Sequence, residues 1–399
     1  MSRRSKIAGP CILGCGLALI ALAPGANAAR FKSLYSFQGG SDGAYPSSAL
    51  IPDGQGGYYG TTPIGGGTGC GGSGCGTIYD VASGGAVTIA HAFAGGADGS
   101  ASYASLLPQK DGSYLGTTSA DGQYSGGTIF SFAPPSAESV LYSFGRGIRG
   151  WESMSTVISD RAGNLYGATE LGGAENYGTV FELPADGKYT TLHEFRGTDD
   201  GAHPNGPLIR DRGGNLYGTT SDECGVVFKI APDGTETILH AFQGGNDGCS
   251  PEAGLIADAQ GNFYGTTESG GSGGCGAGCG TVFKIAPDGT ETILYAFQGG
   301  NDGLFPQAGL AADNAGNLYG TTIWGSGTGC GDGYGCGTVF KVAPDGTETV
   351  LHAFNGSDGY WPEAAPTVDK KGNLYGTTSR GGRGTSCYNS CGTVFVVKE

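Results

Sequence analysis

The chain has 399 residues, 82 of them glycine, and a formal net charge of −15 at pH 7. An acidic surface repels phosphate backbones and anionic lipid headgroups, so this charge argues against nucleic-acid binding. So much glycine would ordinarily indicate low complexity, but here the glycines recur in register with aromatic and β-branched residues, which indicates an ordered repeat protein.

The leading segment has the composition of an export signal. Basic residues near the start precede an apolar run at 11–23, and the small residues at 26–28 fit a cleavage site. The run is too short to span a bilayer, and no later segment is long and apolar enough to do so. We therefore expect a signal peptide at 1–28 and one domain at 29–399, exported to the medium, cell surface or periplasm without membrane insertion.

A single heptapeptide, GNLYGTT or a close variant, occurs seven times, with steps of 47 to 56 residues between copies. Residues 253–297 show the unit as four β-rich runs: AGLIAD, NFYGTT, GTVFKIAPDG and TETILYAF. Turn-forming residues separate these runs, as expected for consecutive antiparallel strands. Seven such modules predict an all-β fold, a seven-bladed β-propeller with four antiparallel strands per blade.

The two ends of the repeat array complement each other. FKSLYSF at 31–37 matches the fourth strand of the unit, whereas GTVFVV at 392–397 matches the third strand and no fourth strand follows. We therefore predict that the N-terminal strand completes the last blade and closes the ring. Within each heptapeptide, the second glycine interrupts a strand, which we interpret as permitting close backbone approach between blades. These glycines are Gly60, Gly116, Gly167, Gly218, Gly265, Gly320 and Gly376.

The GNLYGTT and GTVFKI-PDGTET-L-F segments resemble the GloVer-type tandem repeats of exported bacterial proteins, a choice-of-anchor repeat family that is propeller-like. The resemblance covers essentially the whole chain after the leading segment. It implies export, but it implies no activity and no catalytic residues. Some members of that family bear C-terminal sorting anchors, and this sequence ends in a strand instead. The likeness to propeller lyases and lactonases is at fold level, which does not transmit function.

Both long connections of each blade should lie on one face of the ring, because strand direction alternates. These are the loop between strands two and three and the loop between blades, and loops of this kind carry function. Ten cysteines remain after the leading segment, an even number in an exported chain, which favours disulfides over zinc because no second Cys or His pair lies nearby. The expected pairs are Cys70–Cys75, Cys224–Cys249, Cys275–Cys279, Cys330–Cys336 and Cys387–Cys391.

All three tryptophans fall in these long loops, and several tyrosines accompany them. Exposed aromatic rings suit sugar rings or peptide side chains, so we expect a carbohydrate or peptide ligand. The alternative is that each tryptophan caps the end of its own blade. The candidate binding residues are Trp151, Trp324, Trp361, Tyr124, Tyr177, Tyr334 and Tyr360, with Tyr388 as a further member.

Two sets of polar residues recur. His91, His193, His240 and His352 occupy a position that holds tyrosine in other copies, which favours a packing role over a ligand role. An aspartate recurs before glycine in the loops between blades. Repeated carboxylates could bind calcium, but Asp-Gly chiefly forms turns, so we expect no cofactor and keep calcium as the alternative.

The leading hypothesis is a monomeric exported binding module. An enzyme is the alternative, although the chain has no G-x-S-x-G, H-E-x-x-H or P-loop motif. A propeller hydrolase or lyase would draw on the loops over blade 4, since a histidine with carboxylates can transfer protons. A structural protein of the cell envelope is the third hypothesis. The catalytic candidates are His203, Asp199, Asp200, Asp222 and Glu223.

Overall fold

A computed structural model describes residues 29–147, 149–197, 200–326, 330 and 333–399. It contains seven four-stranded antiparallel sheets, each one a blade of a closed ring. The predicted all-β, seven-bladed propeller is therefore confirmed. The helices of the described residues are single 3-10 turns in loops, at Gly40–Asp42, Cys70–Gly72, Gly96–Asp98, Gly245–Asp247 and Gly300–Asp302. None of the helices in this described part has the length and apolar character that crossing a bilayer requires.

The strands run from the centre of the ring outward within each blade. Blade 1 comprises β2 Ile51–Pro52, β3 Tyr58–Thr62, β4 Thr77–Val81 and β5 Val87–Ala92. Blade 2 comprises β6 Leu107–Pro108, β7 Tyr114–Thr118, β8 Ser125–Ala133 and β9 Ala137–Gly145. Blade 3 comprises β10 Ile158–Ser159, β11 Leu165–Thr169, β12 Thr179–Leu183 and β13 Thr190–Glu194. Blade 4 comprises β14 Ile209–Arg210, β15 Leu216–Thr220, β16 Val226–Ile230 and β17 Glu236–Ala241. Blade 5 comprises β18 Ile256–Ala257, β19 Phe263–Thr267, β20 Thr281–Ile285 and β21 Glu291–Ala296. Blade 6 comprises β22 Ala311–Ala312, β23 Leu318–Thr322, β24 Thr338–Val342 and β25 Glu348–Ala353. Blade 7 comprises β26 Thr367–Val368, β27 Leu374–Thr378, β28 Thr393–Lys398 and, as its outer strand, β1 Arg30–Ser36.

The N-terminal strand closes the ring, as predicted. β1 pairs antiparallel with β28, from Arg30 opposite Lys398 to Ser36 opposite Thr393, so blade 7 takes its outer strand from the start of the chain. Hydrogen bonds also join blade 7 to blade 1 at the centre. The Thr377 hydroxyl donates to the carbonyl of Ser48 at 3.1 Å.

The glycine of the heptapeptide makes room for an aromatic ring, and our interpretation that it brings two blades together is wrong. A Cβ atom added to Gly265 would lie 2.6 Å from Cζ of Phe283, the residue paired with it on the next strand of the same blade. The same clash recurs in every blade, for example between Gly60 and Tyr79. The tip of the third-strand ring therefore lies against the glycine, and any side chain there would displace it.

The core lies between neighbouring blades. Val180 and Phe195 of blade 3 pack with Phe228 of blade 4, and each is fully buried. Burying a large apolar side chain contributes roughly 1.5–3 kcal/mol, so each blade is stabilised mainly by its contacts with the next. A single blade exposes both faces of its sheet, and the ring is the arrangement that covers both.

Both long connections lie on the same face, as the strand alternation predicts. Isolated bridges join the loop between blades to the loop between strands two and three, for example Leu304 with Trp324 and Tyr360 with Arg380. We call this face the loop face. The innermost strands are only two residues long, shorter than the AGLIAD pattern suggests, because the residues before them leave the sheet and line the centre of the ring.

Candidate functional site

A cavity of about 470 Å³ lies at the centre of the ring, lined by residues that lead into the innermost strand of every blade. These segments come from the loops between blades, so the cavity opens on the loop face. We call it the channel mouth. Each blade contributes one residue at an equivalent position, and we call these the ring residues: Ser47, Tyr103, Met154, Asn205, Glu252, Gln307 and Glu363.

A constrained backbone places each ring residue. Two positions earlier in every blade, a residue other than glycine has a φ between 56° and 62°, which is uncommon for such residues. At six of these positions the N–H donates to a carbonyl of the preceding blade, and at four of the six this carbonyl belongs to a disulfide-bonded cysteine. These four bonds are Tyr45 to Cys391 at 2.9 Å, Ala101 to Cys75 at 2.9 Å, Ser250 to Cys224 at 3.0 Å and Phe305 to Cys279 at 2.9 Å.

The five expected disulfide pairs are bonded in the structure. Cys224 and Cys249 join two different loops at a Cα–Cα distance of 4.2 Å. The other four bonds lie within single loops between strands two and three. Because the carbonyls of bonded cysteines hold the segments that enter the channel mouth, the disulfides support the cavity as well as the loops.

Carboxyl groups give the channel mouth its chemistry. Burial raises the pKa of the Glu252 carboxyl and the nearby Glu268 raises it further, while a hydrogen bond with Asn205 opposes the shift. Burial likewise raises the pKa of Glu363, against a hydrogen bond from Ser379 and the positive charge of Arg380. Two carboxyl groups that share a confined space and lose water favour their neutral forms, in which they can donate as well as accept hydrogen bonds.

A further carboxyl group with a raised pKa, that of Glu170, lies on a loop of blade 3. Burial and the charge of Glu152 raise the pKa of Glu170, while His203 opposes this shift. The Nδ1 atom of His203 lies 3.1 Å from the backbone carbonyl of Glu170. Charges at Glu152 and Glu363 also act on Tyr103, whose pKa is raised mainly by burial. These groups are therefore close enough to influence one another across the cavity.

Aromatic rings cluster on the loop face over blades 6, 7 and 1. The rings of Trp324 and Trp361 meet edge to face with centroids 5.3 Å apart, and Tyr334 packs against Trp324 at 5.8 Å. The Arg380 guanidinium lies 5.3 Å from the Trp361 ring centroid and 4.2 Å from that of Tyr45. We call Tyr45, Trp324, Tyr334 and Trp361 the aromatic wall. Trp361 is two residues before the ring residue Glu363, so the wall and the channel mouth lie on the same face of the ring.

Among the other predicted aromatic residues, Trp151, Tyr124 and Tyr177 lie apart from this wall. Trp151 packs against Arg146, with the guanidinium 5.0 Å from its ring, over blades 2 and 3. Tyr124 is 60 % exposed on blade 2, and Tyr177 packs against His203 at 5.7 Å. Tyr360 is buried beneath Trp361. The loop face therefore carries one aromatic cluster with separate single rings, and the remaining exposed tyrosine, Tyr388, lies 79 % exposed on a blade 7 loop.

The predicted catalytic candidates lie in different places. His203 faces Tyr177 and Glu170 near the channel mouth, whereas Asp200 lies at the outer edge beside His193. Asp222 and Glu223 are exposed on the short loop of blade 4. Asp199 lies outside the described residues. Among the candidates that the structure describes, no histidine–carboxylate pair is assembled over blade 4.

The histidine position has a polar role that packing alone does not explain. His and Tyr both carry a polar atom at the tip of the ring next to the aspartate of the following loop; four of these contacts are hydrogen bonds, and those of His91 and His193 are longer ion-pair contacts. These contacts are Tyr35–Asp42 at 2.8 Å, Tyr295–Asp302 at 2.6 Å, His240–Asp247 at 3.1 Å, His352–Asp358 at 3.1 Å, His91–Asp98 at 3.5 Å and His193–Asp200 at 3.8 Å.

The loop aspartates also form turns. Asp42 accepts the backbone N–H of Gln38 at 2.8 Å, and Asp98 accepts that of Ala94 at 2.6 Å, in each case four residues earlier. This is the turn-forming role expected of Asp before Gly. The sequence contains a signal for the histidine contact as well, because the aspartate follows the histidine or tyrosine by six or seven positions.

Sequence reasoning also missed the polar ring residues. Asn205, Glu252, Gln307 and Glu363 each follow a proline and precede a short apolar run, in four consecutive repeats. A polar residue at one fixed position just before an innermost strand was the available signal. Only closure of the ring places these four side chains around one cavity.

The fold is shared with solved structures of low sequence identity. Two extracellular domains of hybrid two-component systems from B. thetaiotaomicron match at TM-scores of 0.55 and 0.57 and identities of 12 % and 13 %. The matches cover 92 % and 91 % of this chain but 41 % and 39 % of those chains, so the protein spans about two-fifths of their length. An oligogalacturonate lyase from Vibrio parahaemolyticus matches at a TM-score of 0.57 and 9 % identity, over 92 % of this chain and 93 % of that chain. At these identities the likeness concerns the fold alone.

Sequence comparison is more specific about the family. No curated protein sequence matches the chain significantly. The model of the Gloeobacter/Verrucomicrobia repeat matches residues 19–150, 70–278 and 272–399, which together cover nearly all of the chain. With seven blades built from one repeated unit, the protein belongs to the Gloeobacter/Verrucomicrobia repeat family.

Proposed function

We propose that this protein is an exported binding module that takes a carbohydrate at the channel mouth. Export is supported by five disulfides, which persist in oxidising compartments, and by the extracellular domains that share the fold. A monomer is expected, because each blade packs the faces of its sheet on its neighbours within the same ring.

One observation carries the choice of ligand: the loop face carries the aromatic wall together with a cavity whose polar side chains include carboxyls and amides. The apolar faces of a sugar ring stack on Trp and Tyr, and its hydroxyl groups exchange hydrogen bonds with groups such as Glu252, Asn205 and Gln307. Raised pKa values suit this role, since a neutral carboxyl both donates and accepts. The acidic surroundings disfavour a polyanionic ligand.

A glycan array screen with the purified protein, followed by calorimetry on the best ligand, tests the proposal. Trp361→Ala and Trp324→Ala should each weaken binding by about 30-fold, the equivalent of roughly 2 kcal/mol for a central aromatic contact. Trp151→Ala is the matched control, because Trp151 lies apart from the aromatic wall, and it should bind as the unmodified protein does. Unchanged affinity in both wall variants would reject the site. Binding to peptides but to no glycan would reject the carbohydrate and retain a peptide ligand.

A second candidate function is cleavage of the bound carbohydrate. The observation that favours it is the raised pKa of Glu170, Glu252 and Glu363, since burial shifts each carboxyl toward the protonated form that a general acid uses. Mass spectrometry of each bound oligosaccharide after incubation would detect shortened products. Glu252→Gln and Glu363→Gln should retain binding and lose the products. Intact ligand after prolonged incubation would leave binding as the sole function.

A further inference from the structure

Three junctions between neighbouring blades each bring together one histidine and two carboxylates. The histidine comes from the outer strand of one blade, the aspartate from the loop that follows it, and the glutamate from the outer strand of the next blade. In each group the three ligand atoms lie within 4.8 Å of one another. We call these groups the junction triads: His91–Asp98–Glu138, His193–Asp200–Glu236 and His240–Asp247–Glu291.

The distances place all three side chains around one point. In the third triad, Nε2 of His240 lies 3.1 Å from an Asp247 oxygen and 3.8 Å from a Glu291 oxygen. In the second, Nε2 of His193 lies 3.8 Å from Asp200 and 3.5 Å from Glu236. The side chains that form these contacts are mostly buried, with 12 % to 23 % of their surface exposed.

The triads hold polar atoms that no neighbour satisfies. Within the described residues, one buried carboxylate oxygen of Glu138, Glu236 and Glu291 has no hydrogen-bond partner, and neither has Nε2 of His91 or His193. No lysine or arginine of the described residues forms an ion pair with a triad carboxylate. Buried polar groups are normally paired, so each triad has the capacity for a further positively charged partner.

The donor set selects the kind of partner. Imidazole nitrogen and carboxylate oxygen are both ligands of late first-row divalent ions such as zinc, and zinc sites with three protein ligands keep a fourth position open. Calcium and magnesium prefer oxygen ligands alone, which the histidine does not provide. A divalent ion would also offset the repulsion between the two carboxylates in a partly buried space.

The remaining four junctions are natural controls within the same molecule. At the junction of blades 5 and 6, Tyr295 stands where the triads have histidine, and at blades 6 and 7, Phe31 stands where they have glutamate and stacks on His352 at 3.6 Å. At blades 7 and 1, tyrosine and valine replace histidine and glutamate, and at blades 2 and 3, Arg149 replaces the aspartate. Each of these junctions lacks at least one ligand of the triad.

We propose that each junction triad binds one divalent transition-metal ion, with Zn²⁺ as the probe, and that the ion clamps the outer strands of neighbouring blades. The protein should then bind three ions per chain, one at each triad. Because the ligands come from two blades, the folded ring binds the ion and the unfolded chain does not, so binding raises stability.

Isothermal titration of chelator-treated, tag-free, oxidised protein with Zn²⁺ tests the stoichiometry. We expect three sites in the unmodified protein, two after His91→Gln, His193→Gln or His240→Gln, and none in the triple variant. His352→Gln is the matched control, because its junction lacks the glutamate, and it should keep all three sites. Titration with Co²⁺ adds a spectroscopic signature, since visible absorption should disappear in the triple variant.

Thermal unfolding gives a second readout. Zn²⁺ should raise the melting temperature of the unmodified protein and of His352→Gln, and leave that of the triple variant unchanged. Should the histidine variants fail to fold, Glu138→Gln, Glu236→Gln and Glu291→Gln remove one ligand per site while keeping the size of the side chain. Absence of Zn²⁺ binding in the unmodified protein, or three sites remaining in a folded triple variant, would overturn the proposal.

Discussion

At the scale of single residues, each letter of the heptapeptide has a structural task. In blade 5, Asn262 and Tyr264 both hydrogen-bond to the Asp258 carboxylate, at 2.6 and 2.9 Å, which fixes the turn between the first two strands. The hydroxyl of Thr266 donates to the Ala308 carbonyl of the next blade at 3.0 Å. The following threonine shares a hydrogen bond with Thr281 on the adjacent strand. The motif recurs because every blade needs the same contacts with the next one.

Gly265→Ala should destabilise the protein by about 1–3 kcal/mol, the usual cost of forcing extra volume into a packed core. The added Cβ would lie 2.6 Å from the Phe283 ring, which is fully buried and has little room to move. Denaturant unfolding measures the change. Gly276→Ala is the control, because nothing lies within 4 Å of its added Cβ, and equal stability of the two variants would contradict this account of the glycine.

At the scale of elements, neighbouring outer strands are linked through paired carboxyl groups. At the junction of blades 5 and 6, burial and the nearby charge of Asp302 raise the pKa of Glu348 to about 7. The folded protein therefore holds this proton more tightly than the unfolded chain. The stabilisation is complete below the ordinary pKa of glutamate and is lost as the pH rises through about 7.

Glu348→Gln should accordingly make the protein more stable than the unmodified chain at pH 8 and leave it about equally stable at pH 4. Glutamine imitates the protonated carboxyl at every pH, so the variant loses the part of the pH dependence that this group supplies. Urea unfolding of both proteins at pH 4, 6 and 8 would measure this pH dependence of the free energy of unfolding. Glu175→Gln, at an exposed loop position, is the control. A variant whose stability falls with pH as steeply as that of the unmodified protein would refute the prediction.

Disulfides act on elements according to the length of chain that they enclose. Cys224 and Cys249 are 25 residues apart, whereas Cys275 and Cys279 are 4 apart. In the chain-entropy model the longer loop contributes about 3 kcal/mol and the shorter one about 2 kcal/mol. Replacing Cys224 and Cys249 together with serine should therefore cost more stability than replacing Cys275 and Cys279. Calorimetry of the two double variants would compare their losses of stability. A larger loss in the Cys275/Cys279 variant would show that native packing outweighs chain entropy here.

At the scale of the whole molecule, stability depends on closing the ring. The first strand contributes Phe31, which stacks on His352 and packs against Phe354 and Phe395 of the last two blades. Its backbone also covers the edge of β28, which would otherwise be free to pair with another chain. The closing strand therefore both completes the core and protects the ring from aggregation.

Deleting residues 29–38 should lower the melting temperature sharply and promote aggregation, since blade 7 loses its outer strand. Calorimetry and light scattering would measure both effects. A chain with Lys32→Ala, an exposed position on the same strand, is the control and should behave as the unmodified protein does. A truncated protein that keeps its melting temperature would show that the last blade holds without β1.

Most of the fold could be predicted from the sequence, because the repeat, its turns and the complementary ends are local patterns. The candidate site was predicted in part. Trp324 and Trp361 were named from their loops, but the ring residue Glu363 was not, because closure of seven blades determines which side chains face the cavity. The contact of His193 with Glu236 was missed because these residues are 43 positions apart and belong to different blades. Sequence periodicity predicts the structure within each blade, whereas the cavity and the His193–Glu236 contact are formed between blades.

The pairing of β1 with β28 also governs when the protein can fold. Arg30 and Lys398 form a contact across nearly the whole chain, and such distant contacts slow folding because a very long loop must close first. The first strand therefore stays unpaired until the last strand has been synthesised and has reached the same compartment. A chain that crosses a membrane as an extended thread is compatible with this order, because its ring cannot close before translocation of the final blade is complete.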